Sequence, residues 1–282
     1  MISAPLVLSG HVVVVLLLSW IYFRCAAMKR VPIGMMNLVD VVSTMVSIIV
    51  IPYLYLALPR LLVAVIVTLG TMSILFMVWE PLVRPWLAWA VTLALGGADI
   101  WAALTMGTLH PLFLIINNTV LVLVIVGVAN LWVQSGMKAR DTALLGGILI
   151  GYDYLASVQL PLMGDLIQHL AGLPFAPLLV WPTDSAGSWL AIGMGDLLLA
   201  AVFPLAMRKA YSQRAGLVAL ASMLLAVTAV LILPTSLIGR DVFPVMVVIG
   251  PLIVLQYLGW RRVRPTERTT RQYLADEPIA SR

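Results

Sequence analysis

Long apolar runs alternate along the chain with short polar breaks. Nine such runs span roughly 5–23, 36–57, 61–79, 86–106, 111–133, 142–162, 188–207, 215–238 and 242–260. About 20 apolar residues in a helix cross the ~30 Å hydrocarbon layer of a bilayer, and each run approaches that length. Pro59, Pro81, Pro85 and Pro111 fall at run edges, where a missing N–H costs least. Trp20, Trp79, Trp86, Trp132, Trp189 and Trp260 lie near run ends, as an interfacial aromatic belt would. The pattern predicts an all-α polytopic membrane protein of nine transmembrane helices, a multi-pass protein of the cell membrane.

Composition agrees. The chain of 282 residues is 62% hydrophobic and 10% charged, against about 25% charged in soluble domains. The net charge of +5 comes from bases in short loops and a tail, not from one soluble face. It points to membrane topology rather than to nucleic acid. A single cysteine, Cys25, builds neither an intrachain disulfide nor a paired-thiol metal site, and His11, His110 and His169 are not spaced as metal ligands. No cofactor is implied.

The charges also set an orientation. The first run has no basic residue before it and Arg24, Lys29 and Arg30 after it, the reverse of a cleaved signal peptide. With the N-terminus outside, alternation puts 15 of the 17 basic residues in cytoplasmic loops and the C-terminal tail; only Arg60 and Arg240 fall outside. The tail beginning at Arg261 reads as disordered, with its arginines near anionic headgroups. The one long connection, about 163–187, is proline-rich and lies outside.

Against this apolar background two carboxylates stand out. Asp153 follows Tyr152 in the sixth run; Asp196 follows Gly193 and Gly195 in the seventh. Asp153 is 13 residues beyond Arg140 and Asp196 is 12 before Arg208. At 1.5 Å per helical residue both lie roughly 18–20 Å from the basic end, near mid-bilayer. Consecutive antiparallel helices holding acids at one depth can bring them together. Like charges a few ångströms apart cannot both ionise readily, so such a pair shares a proton. An aspartic protease needs that arrangement: one carboxyl takes a proton from water while the other donates one to the peptide carbonyl. The glycines permit close backbone approach and weaken the helix ahead of Asp196.

Tyr152-Asp153 followed by Gly193-Met194-Gly195-Asp196 resembles the YD and GxGD motifs of the presenilin and signal peptide peptidase family of intramembrane aspartyl proteases. The resemblance implies nine spans, catalytic roles for Asp153 and Asp196, and a substrate that is a transmembrane peptide or membrane protein. It places Tyr152 beside the pair. The family's third motif, Pro-Ala-Leu at the start of the ninth span, is altered here: the counterpart is Pro244-Val245-Met246, with Pro251 as a rival. The chain then divides into a scaffold of five helices (1–137), a catalytic set of four (138–260) and a basic tail (261–282). With its N-terminus outside, the scaffold has the orientation of signal peptide peptidase, which implies substrates whose N-terminus is cytoplasmic, remnant signal peptides among them. A substrate must be extended before attack, and Pro177–Trp181 is an apolar segment that reads either as a re-entrant or interfacial loop or as a strand lying beside it.

Three other readings share parts of this pattern. A prepilin-peptidase-like protease also carries GxGD but sets its acids near the cytoplasmic boundary. A proton-coupled transporter would use Asp99, mid-span in the fourth run, as a relay with the other two, and predicts repeated halves that the sequence lacks. A non-catalytic scaffold would need only polar interhelical glue such as Asn117 and Asn118.

Overall fold

The computed structural model describes residues 3–28, 38–107, 110–160, 162–170, 172–183, 189–233, 243–269 and 272–273. Lys29, Arg30 and Arg240, used above for orientation, lie outside them, as do Arg271 and Arg282. The first five runs become α1 (Ala4–Cys25), α2 (Leu38–Ala57), α3 (Arg60–Trp79), α4 (Pro85–Thr105) and α5 (Pro111–Gln134). Proline stands at the first or second position of α1, α4 and α5, where no intrahelical N–H is required. The eighth and ninth become α9 (Gln213–Ile232) and α10 (Met246–Val263). Seven helices among the described residues are long and apolar enough to cross a membrane. Leu61, Leu69, Leu104, Leu225 and Leu255 on their outer faces are largely exposed, as lipid-facing side chains are. The chain is an integral, multi-pass membrane protein.

The sixth and seventh runs depart from simple spans. α6 (Ala139–Tyr154) passes into a π-helical turn, Leu155–Gln159, and then breaks; α7 (Leu162–Leu170) is tilted 82° away. Leu160, which precedes a proline in the sequence, is extended, as that position favours. The long proline-rich connection carries α7 and a strand, β1 (Leu178–Pro182). The seventh run does not begin as a helix. Trp189–Gly193 is a second strand, β2, and α8 (Met194–Ala210) starts only after Gly193. An apolar run of five satisfies strand and helix alike, so hydropathy could not separate them.

α8 is the centre of the bundle, its length from Leu197 to Ala210 almost wholly buried against α1, α5, α6 and α9. α3 and α4 pack on α5, while α6 and α10 form a close pair. Glycine sets that last contact: a Cβ on Gly250 would clash with Ile150 and stand 2.9 Å from the Gly146 carbonyl oxygen. Small residues let the two backbones approach where no hydrophobic effect drives association.

The basic end is tied together by polar contacts. Buried Lys209 donates to the carbonyls of Val133 and Met137, both at 2.7 Å, and closes the end of α5. The Arg208 guanidinium lies 4.8 Å from the Trp20 ring centre.

The tail, read from sequence as disordered, is docked in its described part. Glu267 accepts from the Ala139 and Arg140 amides at 3.1 and 3.0 Å, capping the start of α6. Arg264 and Arg268 donate to the carbonyls of Tyr211 and Arg208 at the end of α8, both below 3 Å. Tyr273 is buried against Phe23, ring centres 5.6 Å apart. A composition rich in arginine signals solvation, but these arginines meet the carbonyls that every helix leaves unpaired at its C-terminus.

Replacing Glu267 with alanine strips both cap bonds from α6, a loss of about 0.5–2 kcal/mol. Thermal unfolding in detergent should show a midpoint lowered by about 2–4 °C per kcal/mol; an unchanged midpoint would mean that the docked tail adds no stability.

Candidate active site

Asp153 is the last residue but one of α6 and Asp196 the third residue of α8. Thirteen residues of continuous helix separate Arg140 from Asp153, and twelve separate Asp196 from Arg208, so the equal helical spacing from the basic residues is kept through the broken spans. Both side chains are partly buried, and the Asp196 carboxyl is near enough to Asp153 to interact with it directly through space. The fold brings the two acids together.

Each carboxyl meets the positive end of a helix. Asp196 lies in the first turn of its own α8. Asp153 accepts from the Met246 amide at 2.9 Å, the first residue of α10, where N–H groups have no intrahelical partner. The Ser157 hydroxyl donates to the other Asp153 oxygen at 3.0 Å from the π-turn. Pro244-Val245-Met246 is therefore the turn that opens α10 against Asp153. The rival Pro251 is inside α10, beside the Gly250 contact with α6. Ser157 escaped the sequence reading, although its spacing of four from Asp153 marks one helix face. Tyr152 is within electrostatic reach of Asp153 and of Tyr53 on α2.

The two glycines of the GxGD string differ. Gly193 is extended and precedes α8; a Cβ there would stand 3.3 Å from an Asp196 carboxyl oxygen. Gly195 is exposed, and a Cβ there meets nothing within 4 Å.

β2 supplies a second feature. It pairs antiparallel with β1, Leu178 opposite Gly193 and Val180 opposite Ala191. The Met194 amide donates to the Pro177 carbonyl at 3.0 Å, and this sets the phase of the ladder. Successive residues turn their N–H and C=O alternately toward and away from the partner, so Leu178 and Val180 point outward on β1, Ala191 and Gly193 outward on β2. The outer edge of β1 is taken by α5: Val180 exchanges bonds with the Asn118 side chain at 3.0 and 3.2 Å, and the Leu178 carbonyl accepts from Asn117. On β2 the Ala191 amide and carbonyl and the Gly193 amide bond to no described residue. The segment Pro177–Trp181, expected to lie beside substrate, is thus an inner strand, and the open edge belongs to β2, directly before Asp196.

Asp99 is elsewhere in the network. It is fully buried on α4 and accepts from the Phe175 amide at 2.7 Å. Among the described residues no three His, Cys, Asp or Glu side chains converge as a metal site requires.

In the protease proposed below, Gly193→Ala should lower the kcat for cleavage of a synthetic transmembrane peptide by up to about tenfold, since the Asp196 carboxyl must give by a few tenths of an ångström and a full 1 Å misplacement costs about 100-fold. Gly195→Ala should leave the fold intact by circular dichroism. Equal activity of Gly193→Ala and the native chain would remove the steric argument.

No family profile and no curated protein matches the sequence. A search of solved structures finds a presenilin-family intramembrane aspartate protease with TM-score 0.56 and 15% identity, the match covering 92% of this chain and 98% of that one. The chain has the fold of a presenilin-family intramembrane aspartate protease.

Proposed function

We propose that the chain is an intramembrane aspartyl protease that cuts peptide bonds within transmembrane segments, with Asp153 and Asp196 as its catalytic pair. The observation that carries this reading is the nearness of two carboxyls, each at a helix N-terminus, beside a strand edge whose outward groups pair with no described residue. An open sheet edge cannot face lipid, where unpaired amides go unsatisfied, so it lines an aqueous or substrate-filled cleft. The presenilin-like fold supports the same reading.

The chemistry follows from the pair's single negative charge. A transmembrane substrate unwinds and lays its extended segment along β2, where Ala191 and Gly193 offer two amides and a carbonyl. Gly193, with no side chain, keeps that strand close to Asp196. One carboxylate removes a proton from water as the water oxygen attacks the scissile carbonyl carbon. The protonated partner gives its proton to the carbonyl oxygen, and a tetrahedral diol forms. Its collapse breaks the C–N bond as one carboxyl gives its proton to the leaving amine and the other takes a proton from a diol hydroxyl, which restores the shared-proton state. Tyr152 shields one side of the pair, and the turn Pro244-Val245-Met246 holds Asp153 through its Met246 amide.

Nine spans, with the N-terminus outside and the C-terminus cytoplasmic, complete the proposal, and the cell membrane is its location. Substrates with a cytoplasmic N-terminus, including remnant signal peptides, suit that orientation; a reporter fused to the N-terminus and found in the cytoplasm would reject it. The bilayer and the substrate are the only partners invoked.

Asp153→Asn and Asp196→Asn should each reduce peptide cleavage by at least about 10²–10⁴-fold, the usual worth of positioned acid–base groups, with helicity unchanged. Asp99→Asn should keep most of the activity. Cleavage surviving either change in the pair would reject the mechanism, and a dead Asp99→Asn would favour a proton relay through three acids.

A further inference from the structure

Three polar side chains in the apolar α4–α5 face converge on one short stretch of backbone. Asp99 accepts from the Phe175 amide at 2.7 Å. Asn117 donates to the Ala176 carbonyl at 3.3 Å. Asn118 both donates to the Val180 carbonyl, at 3.0 Å, and accepts from the Val180 amide, at 3.2 Å. A primary carboxamide carries the same donor and acceptor as a peptide group. Asn118 therefore makes with Val180 the pair of bonds that a neighbouring strand residue would make.

Phe175 shows how firmly the stretch is held. It has φ +58°, a left-handed conformation that a bulky residue avoids. Its amide is fixed by Asp99 and its ring is buried among Leu75, Val120 and Val124 of α3 and α5. The backbone is turned there so that β1 leaves along α5.

We infer that Asn118, backed by Asn117 and Asp99, is a positioning residue that stands in for a third strand: it holds β1 in place before substrate arrives, so that β2 presents a preformed edge to the cleft. This rests on the protease reading for its consequence, but not for the contact itself. Without the anchor, the outward Val180 groups would be unpaired in a low-dielectric setting. β1 would then shift, and β2 would no longer offer the incoming chain an ordered edge. Asp99, the third intramembrane acid, acts here through one acceptor oxygen and not through a transferable proton.

The test has one arm that needs no activity. In the native chain the Val180 amide should exchange slowly with deuterium in the absence of substrate, and in Asn118→Leu about tenfold or more faster, the loss of roughly one buried hydrogen bond. Kinetics form the second arm, with a synthetic transmembrane peptide and the same peptide N-methylated at the amide that pairs with β2. Asn118→Leu should raise KM about tenfold with kcat little changed, the mark of lost uniform binding. It should also cut both peptides alike, whereas the native chain discriminates against the methylated one. Should Asn118→Leu fail to fold, the Asp99 pair decides: Asp99→Asn, which keeps an acceptor for Phe175, should match the native chain in Val180 exchange, and Asp99→Leu should not. Native exchange at Val180 in Asn118→Leu, retained discrimination between the peptides, or equal behaviour of Asp99→Asn and Asp99→Leu would overturn the inference. A native chain that cuts neither peptide would reject the protease reading while leaving the exchange result to decide the anchor.

Discussion

A charged carboxylate in hydrocarbon costs at least about 2.5–3.5 kcal/mol, and this chain brings two of them to one depth. A helix N-terminus returns about 0.3–1 kcal/mol to a nearby anion, and up to ~2 in a partly buried setting. Two such termini, those of α8 and α10, serve the pair. At the upper end of that range the two together offset one negative charge and fall short of two. In the proposed mechanism the pair carries one charge and one proton, the state hydrolysis needs. Much of the architecture follows from this constraint. α6 runs unbroken from its basic end to Asp153, α8 begins just before Asp196, and α10 begins where its first free amide reaches Asp153.

The same accounting governs the backbone. A helix satisfies its own amides, but a hairpin inside a membrane protein does not, and each unpaired group there is costly. β1 and β2 pair with each other on one side. The outer side of β1 is satisfied by side chains of α5, while the outward groups of β2 pair with no described residue. Polar residues that look like dispersed glue in an apolar run are concentrated on this single element. The opposite end uses the same device in reverse: Glu267 and the arginines 264 and 268 satisfy the free ends of α6 and α8, the two helices that carry the acids.

Hydropathy made seven of the spans legible, because length and apolarity are all that a simple crossing demands. The equal helical spacing of Asp153 and Asp196 from basic residues was legible too, since it depends only on continuous helix between them. Three features were hidden. The strand Trp189–Gly193 is as apolar as the helix it was read into, and no periodicity distinguishes five residues. The break after Gln159 had one local signal, a following proline, inside a run otherwise long enough to span. The docking of the tail depends on helix ends brought together by the fold, which composition does not encode. For the site, the third motif departs from the family's letters. The contact that it makes is through the Met246 amide, which any residue but proline supplies at that position.

The central claim is that the two acids act as one proton-sharing unit, and a transition-state mimic addresses it most directly. A non-cleavable peptide bearing a hydroxyethylene in place of the scissile bond puts one hydroxyl where the attacking water and the tetrahedral oxygen would lie. Calorimetric titration into the purified protein should give one site per chain, with affinity reduced at least about 100-fold by Asp153→Asn and by Asp196→Asn separately, the scale on which such analogues exceed substrates. Undiminished affinity in either variant would contradict the account, because a hydroxyl that ignores one acid does not sit between two.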